Sequence, residues 1–132
     1  MRLYLVRHAE AAPGEPDELR ALTEEGHEAA RLLGERLRDE GAKPVAVVTS
    51  PLLRARQTGD ALARALQCPA SADERLAPGA EPEEVLAVAT GRAGDVVVVG
   101  HQPDCGRVAA TVTGSEPKFP PAGVVPLDIA DA

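Results

Sequence analysis

An arginine and a histidine stand side by side at Arg7-His8, where the apolar run Leu3 to Val6 breaks off. A second histidine, His101, follows the run Val96 to Val99 with only Gly100 between. A further arginine, Arg54, comes four residues after Ser50, which closes the stretch AVVTS. A phosphoryl group spreads negative charge over three oxygens, so a site that transfers one must surround it with fixed donors. Arginine suits this, being always charged, planar and able to give paired hydrogen bonds. Histidine, neutral near physiological pH, can attack phosphorus and leave again through the same nitrogen. Arg7, His8, Arg54 and His101 therefore contain what phosphoryl transfer needs, provided the fold gathers three strand ends. Taken singly, each is as readily structural, since strands must end and polar residues end them. His27 (among glutamates on a helix) and Arg56 (two residues past Arg54) read as solvated surface groups. Cys105 reads as a small core residue, because no further Cys/His cluster accompanies it to hold a metal.

The elements that must position these residues alternate along the chain. Arg2 to Val6 has the continuous apolar pattern of a strand buried on both faces. The following AAPGEPDELRAL, with two prolines and a glycine, reads as a surface loop. Thr23 can N-cap a helix running to about Glu40, with Glu24 and Glu25 at its positive end and Gly41 as its stop. Ala29, Ala30, Leu33 and Leu37 share one face of it. PVAVVTS is a second buried strand, and Ser50-Pro51 predicts an N-cap followed by proline at the first turn of a helix to about Leu66. A shorter strand is expected near Ala70 to Leu76, then a short helix over EPEEVLAVAT. Asp95 to Gly100 is the plainest strand, and Pro103 opens a helix to about Thr113. AGVVPLDI supplies a last strand, which Pro126 places at an edge. This alternation predicts an α/β three-layer sandwich with a largely parallel central sheet and helices on both faces, as a single domain over residues 1–132. In such folds the ligand crevice lies at the carboxyl ends of the strands. Three of those ends carry the residues above.

Composition narrows the function further. The chain has 132 residues with 44% hydrophobic content, enough for one core and too much for general disorder. Tyr4 and Phe119 are its only large aromatics, so packing rests on Leu, Val and Ala. The net charge of −7 argues against nucleic acid or an anionic membrane as a partner, and makes any anion site a local positive cluster. Two cysteines, Cys68 and Cys105, are too few for a disulfide scaffold. No segment approaches transmembrane length or a signal-peptide core, so the cytoplasm is the expected compartment.

The stretches LVRHAEA, VVTSPLLRARQTGDAL and VVVVGHQP resemble, in order, the three signatures of the histidine phosphatase superfamily, the phosphoglycerate-mutase-like fold. Within it, RALTEEGHEAA and LAPGAEPEEVL resemble the SixA-type phosphohistidine phosphatases. The resemblance implies that His8 becomes phosphorylated, that Arg7, Arg54 and His101 complete the phosphate pocket, and that neither metal nor other cofactor is needed. It also implies a small residue after His8, usually glycine and here Ala9. Branches that cleave phosphate esters carry a carboxylic acid after the third strand to protonate the alkoxide. In that place this chain has Ala77-Pro78-Gly79, with Asp73, Glu74 and Glu81 nearby but off the pattern. An imidazole leaving group needs less help, so a missing acid fits a phosphohistidine substrate. The expected mechanism is double displacement, with neutral His8 attacking while Arg7, Arg54 and a protonated His101 hold the oxygens. Short connections leave little material for a lid, and an open pocket suits phosphohistidine on a protein better than a small phosphorylated metabolite. Two alternatives stand beside this reading: a small-molecule phosphomonoesterase of the same fold, and a catalytically silent phosphate-binding module.

Overall fold

The structure, a computed structural model, describes residues 1–130. Five strands form one sheet: β1 (Arg2–Arg7), β2 (Ala46–Thr49), β3 (Ala70–Ala72), β4 (Val96–Gly100) and β5 (Val124–Asp128). Their spatial order is β3-β2-β4-β1-β5. The four strands β3, β2, β4 and β1 run parallel, and β5 pairs antiparallel with β1 at the edge. Pro126, which cannot donate to a ladder, sits on that edge strand opposite Tyr4, as its chemistry requires. The helices are α1 (Glu24–Asp39), α2 (Leu53–Leu66), α3 (Pro82–Thr90) and α4 (Asp104–Thr113).

The sheet is covered on both sides because its strand residues alternate between two apolar partners. Tyr4, Val6, Val47, Val97 and Val99 pack with Leu33 and Leu37 of α1 and Ala55, Leu62 and Ala63 of α2. Leu3, Leu5, Val48, Val96 and Val98 point the other way, against Val85, Val88 and Ala89 of α3 and Cys105, Val108 and Ala109 of α4. The result is the three-layer α/β sandwich that the alternation of elements predicts.

Most boundaries follow local chemistry. Thr23 caps α1 by accepting from the Gly26 amide at 2.9 Å, and Gly41 leaves that helix with φ of +91°, a conformation costly for any residue with a Cβ. The start of α2 departs from expectation. The helix begins at Leu53 rather than Pro51, and its capping residue, Leu52, has no side-chain bond to give. The Ser50 hydroxyl accepts weakly from the Leu52 amide at 3.3 Å, but its short contact is with His101, so the serine serves the strand end instead of the helix. The third strand is also shorter than expected. It stops at Ala72, and a 3-10 turn over Glu74–Leu76 drops Leu76 into the core.

Register then decides where the strands deliver their ends. Arg7 lies opposite Gly100, and Thr49 lies opposite Val99. The His8 amide donates to the Gly100 carbonyl at 3.0 Å, and the Ser50 amide to the Val99 carbonyl at 3.0 Å. Three parallel strands thus finish level, side by side. His8, Ser50 and His101 emerge on one rim.

Candidate active site

The two histidines that the sequence singles out face each other on this rim. Their ring centroids are 5.2 Å apart with planes tilted by 59°. His8 Nδ1 lies 2.7 Å from the Ala9 carbonyl, an acceptor only, so the proton sits on Nδ1. Nε2 keeps its lone pair, and among the described residues it has no hydrogen-bond partner. His101 is buried, and its Nε2 lies 2.7 Å from the Ser50 hydroxyl.

Both expected arginines are here. Arg54, in the first turn of α2, keeps only 8% of its side chain exposed. Its Nη1 donates to the Asp17 carbonyl at 3.0 Å and its Nη2 to the Asp17 carboxylate at 3.3 Å. Arg7 donates from Nη1 to the Phe119 carbonyl at 2.9 Å, while its Nε is buried without a hydrogen-bond partner. Leaving a buried donor unpaired costs about 1–3 kcal/mol, so the orphaned Nε is a donor with capacity to spare for an anion's oxygen.

Electrostatics follow from packing cations and imidazoles out of water. Burial first, then the charges of Arg54, Arg7 and Arg20, pushes His8 below the ordinary histidine value, against the pull of the Ala9 carbonyl. Burial first, then His8 and Arg54, push His101 down to about 4, with Asp17 pulling the other way by more than Arg7 adds. Both rings are therefore neutral near pH 7. For His8 that is the state a nucleophile needs. For His101 it means that the positive charge expected of it in the reaction is not a standing one. Burial first, then the neighbouring imidazole and guanidiniums, disfavour the proton until an anion offsets them.

Several residues that sequence reasoning passed over support this rim. Thr58 of α2 accepts from the Ala9 amide at 3.0 Å and donates to the Arg54 carbonyl at 2.8 Å, latching the His8 turn to the helix that carries Arg54. The Ala9 methyl is fully buried against Leu22 and Ala30, and Ala9 is not among the non-glycine residues with positive φ, so alanine replaces the usual glycine without strain. Asp17 closes a 3-10 turn (Asp17–Leu19) and also takes Arg20 Nη1 at 3.1 Å. An acid and a base in a proline-rich loop just after a polar strand end was the available signal. The fold alone showed that the loop turns back over Arg54.

The carboxylates considered for the acid slot lie elsewhere. Asp73 is tied to Arg75 at 2.8 Å and held below the usual carboxylate range by it, Glu74 is exposed, and Glu81 pairs with Arg107 at 3.4 Å. None bonds to Arg7, His8, Arg54 or His101. His27 and Arg56 are exposed, and both cysteines are free, with Cys105 buried and its thiol pushed up to about 12 by that burial. Among the described residues, no group of three or more His, Cys, Asp or Glu side chains is placed to hold a metal ion.

Level strand ends of a parallel sheet, carrying two neutral imidazoles and two guanidiniums, bring together the groups that phosphoryl transfer requires. Residues 3–78 match the model of the histidine phosphatase superfamily (branch 1), and the chain belongs to that family and is a phosphatase. Along its whole length it is similar to the phosphohistidine phosphatase SixA of Escherichia coli, at 27% identity over 100% of this chain and 88% of that protein. It is 35% identical to an uncharacterized protein of Picosynechococcus sp., over 96% of this chain and 84% of that one. A solved structure of the protein histidine phosphatase SixA complexed with tungstate superposes with a TM-score of 0.89 at 25% identity, over 99% of this chain and 90% of that chain.

Proposed function

We propose that this phosphatase removes phosphate from phosphohistidine on a protein, by double displacement through phospho-His8 and without a metal. The observation that carries the reading is the state of His8: Nδ1–H is fixed on the Ala9 carbonyl, and Nε2 has its lone pair free beside His101. In the first step that lone pair forms the new P–N bond while the bond to the substrate's nitrogen breaks, its electron pair staying with the leaving imidazole. Arg7 Nε, Arg54 and His101 donate to the phosphoryl oxygens, and the negative charge among them draws a proton onto His101 that it does not hold near pH 7 otherwise. In the second step water attacks phosphorus, the P–Nε2 bond breaks, both protons of the water leave with phosphate, and His8 returns neutral. Likeness to SixA supports the substrate class, as does the absence of a bonded carboxylate in the ester-cleaving position.

His8→Ala should abolish turnover of a phosphohistidine protein while leaving the far-ultraviolet circular dichroism unchanged, since His8 lies at the rim and not in either core. Brief exposure of the wild type to labelled substrate should leave acid-labile, base-stable label on His8. Label on His101 would mean that the two roles are reversed.

A further inference from the structure

Asp17 has no role in the mechanism above, yet among the described residues it is the one carboxylate bonded to Arg7, His8, Arg54 or His101. Its backbone carbonyl and its Oδ2 both receive Arg54, and its Oδ1 receives Arg20 at 3.1 Å. The side chain is nonetheless 60% exposed, whereas the Arg54 head it rests on is 8% exposed. Asp17 therefore lies on the solvent side of the buried Arg54 side chain, close enough for its charge to reach His101. A phosphoryl group bound to Arg54 and attacked in line by His8 loses its leaving group on the side away from His8. A substrate carried on a protein must arrive and leave through solvent, the side of Arg54 on which Asp17 lies. A carboxylate offers about four acceptor positions, and two arginine contacts leave some of them facing solvent.

We propose that Asp17 is the leaving-group partner, accepting a hydrogen bond from the protonated second ring nitrogen of the substrate phosphohistidine. This rests on the reading of the substrate given above and names the residue that selects it. The transfer is between two imidazoles, so what one side gains the other must lose. His8 starts neutral, with Nδ1–H on the Ala9 carbonyl, and gains positive charge as it takes the phosphoryl group. The donor imidazole starts as a phosphoimidazolium, with its other nitrogen protonated, and departs neutral. Asp17 does for the donor ring what the Ala9 carbonyl does for His8: it fixes the proton on the nitrogen away from phosphorus. No proton has to be delivered. Arg20 and Arg54 keep Asp17 below the usual carboxylate range, so near neutral pH it has no proton to give an alkoxide and can only accept. The other ionisable groups of the pocket are His101 from the end of β4, which feels its charge, and Arg7 and His8 from the end of β1.

The test compares Asp17→Asn with the wild type on two substrates, a histidine peptide phosphorylated on its ring and p-nitrophenyl phosphate. The nitrophenolate needs no partner of this kind. The ratio of kcat on the phosphohistidine peptide to kcat on the aryl ester should fall about tenfold to a hundredfold, the worth of a hydrogen bond to a charged group. The phosphohistidine kcat of the wild type should also decline above the pH at which the substrate ring loses its second proton, and earlier in the variant. Equal losses on both substrates would show that Asp17 only steers Arg54, and would overturn the proposal, as would no loss on either. A wild-type protein that cleaves the aryl ester but is inert on the phosphopeptide would overturn the reading of the substrate, and this inference with it. The wild type tests the substrate, and the variant's ratio tests Asp17.

Discussion

His101 carries the clearest pH signature in the molecule. Its ordinary value of 6.5 falls to about 4 in the fold, through burial and its cationic neighbours. Between those two values the unfolded chain binds the proton and the folded one does not, so unfolding takes up protons and stability drops as pH falls. For this group the loss begins near pH 6.5 and is complete below about 4. His8 is shifted in the same direction and adds to it. Urea unfolding of the wild type from pH 7 to pH 4 should show this decline. His101→Asn should make the slope shallower over that window, because one buried site that resists protonation has gone. An unchanged slope in the variant would place the acid sensitivity elsewhere, for instance in the paired carboxylates Asp17, Glu28 and Asp73, whose values are lowered.

At the scale of elements, what matters is how α3 and α4 are locked beneath the rim. Asp104, at the first turn of α4, is buried, and its Oδ2 accepts from the Gly79 amide at 2.9 Å and the Ala80 amide at 3.2 Å. One carboxylate thereby holds the turn entering α3 against the helix that follows His101. The Cys105 amide in turn donates to the His101 carbonyl at 2.9 Å, so this contact fixes the backbone next to the site. Asp104→Ala should lower the unfolding free energy by about 1–3 kcal/mol, the cost of a buried donor left unpaired. Asp104→Asn keeps one acceptor oxygen and should lose less. A midpoint for the alanine variant equal to the wild type's would mean that water satisfies both amides.

On the scale of the whole molecule, a net charge of −7 makes Arg7 and Arg54 on one rim a local positive exception to an acidic whole. The carboxylates near the ester-cleaving position are all held elsewhere, by Arg75 and Arg107 or in solvent. Leaving groups should therefore decide the rates. An alkyl ester such as a sugar phosphate should turn over about two to four orders of magnitude more slowly than p-nitrophenyl phosphate, the usual worth of a missing general acid. Dialysis against EDTA should leave both rates unchanged, and added magnesium should not raise them. Comparable alkyl and aryl rates would make the protein a phosphomonoesterase with its acid in an unforeseen place. Among the described residues, no helix is long and apolar enough to cross a membrane.

The sequence by itself determined the elements and the chemical inventory. Apolar runs, Thr23, Gly41 and Pro126 mark strands, caps and an edge through forces acting within a few residues, and they can be read in the same span. Arg7, His8, Arg54 and His101 could be picked out because each stands at or just beyond the end of an apolar run, where a polar side chain needs a reason. Residues whose partners lie far along the chain could not be read this way. Ser50 looks like a helix cap until β2 and β4 pair and set its hydroxyl 2.7 Å from His101. Asp17 looks like any loop acid until its segment folds over α2, 37 residues further on, and meets Arg54. The neutrality of His101 depends on the same assembly: burial and neighbouring charge set its proton affinity, and both come into being only when three strand ends meet.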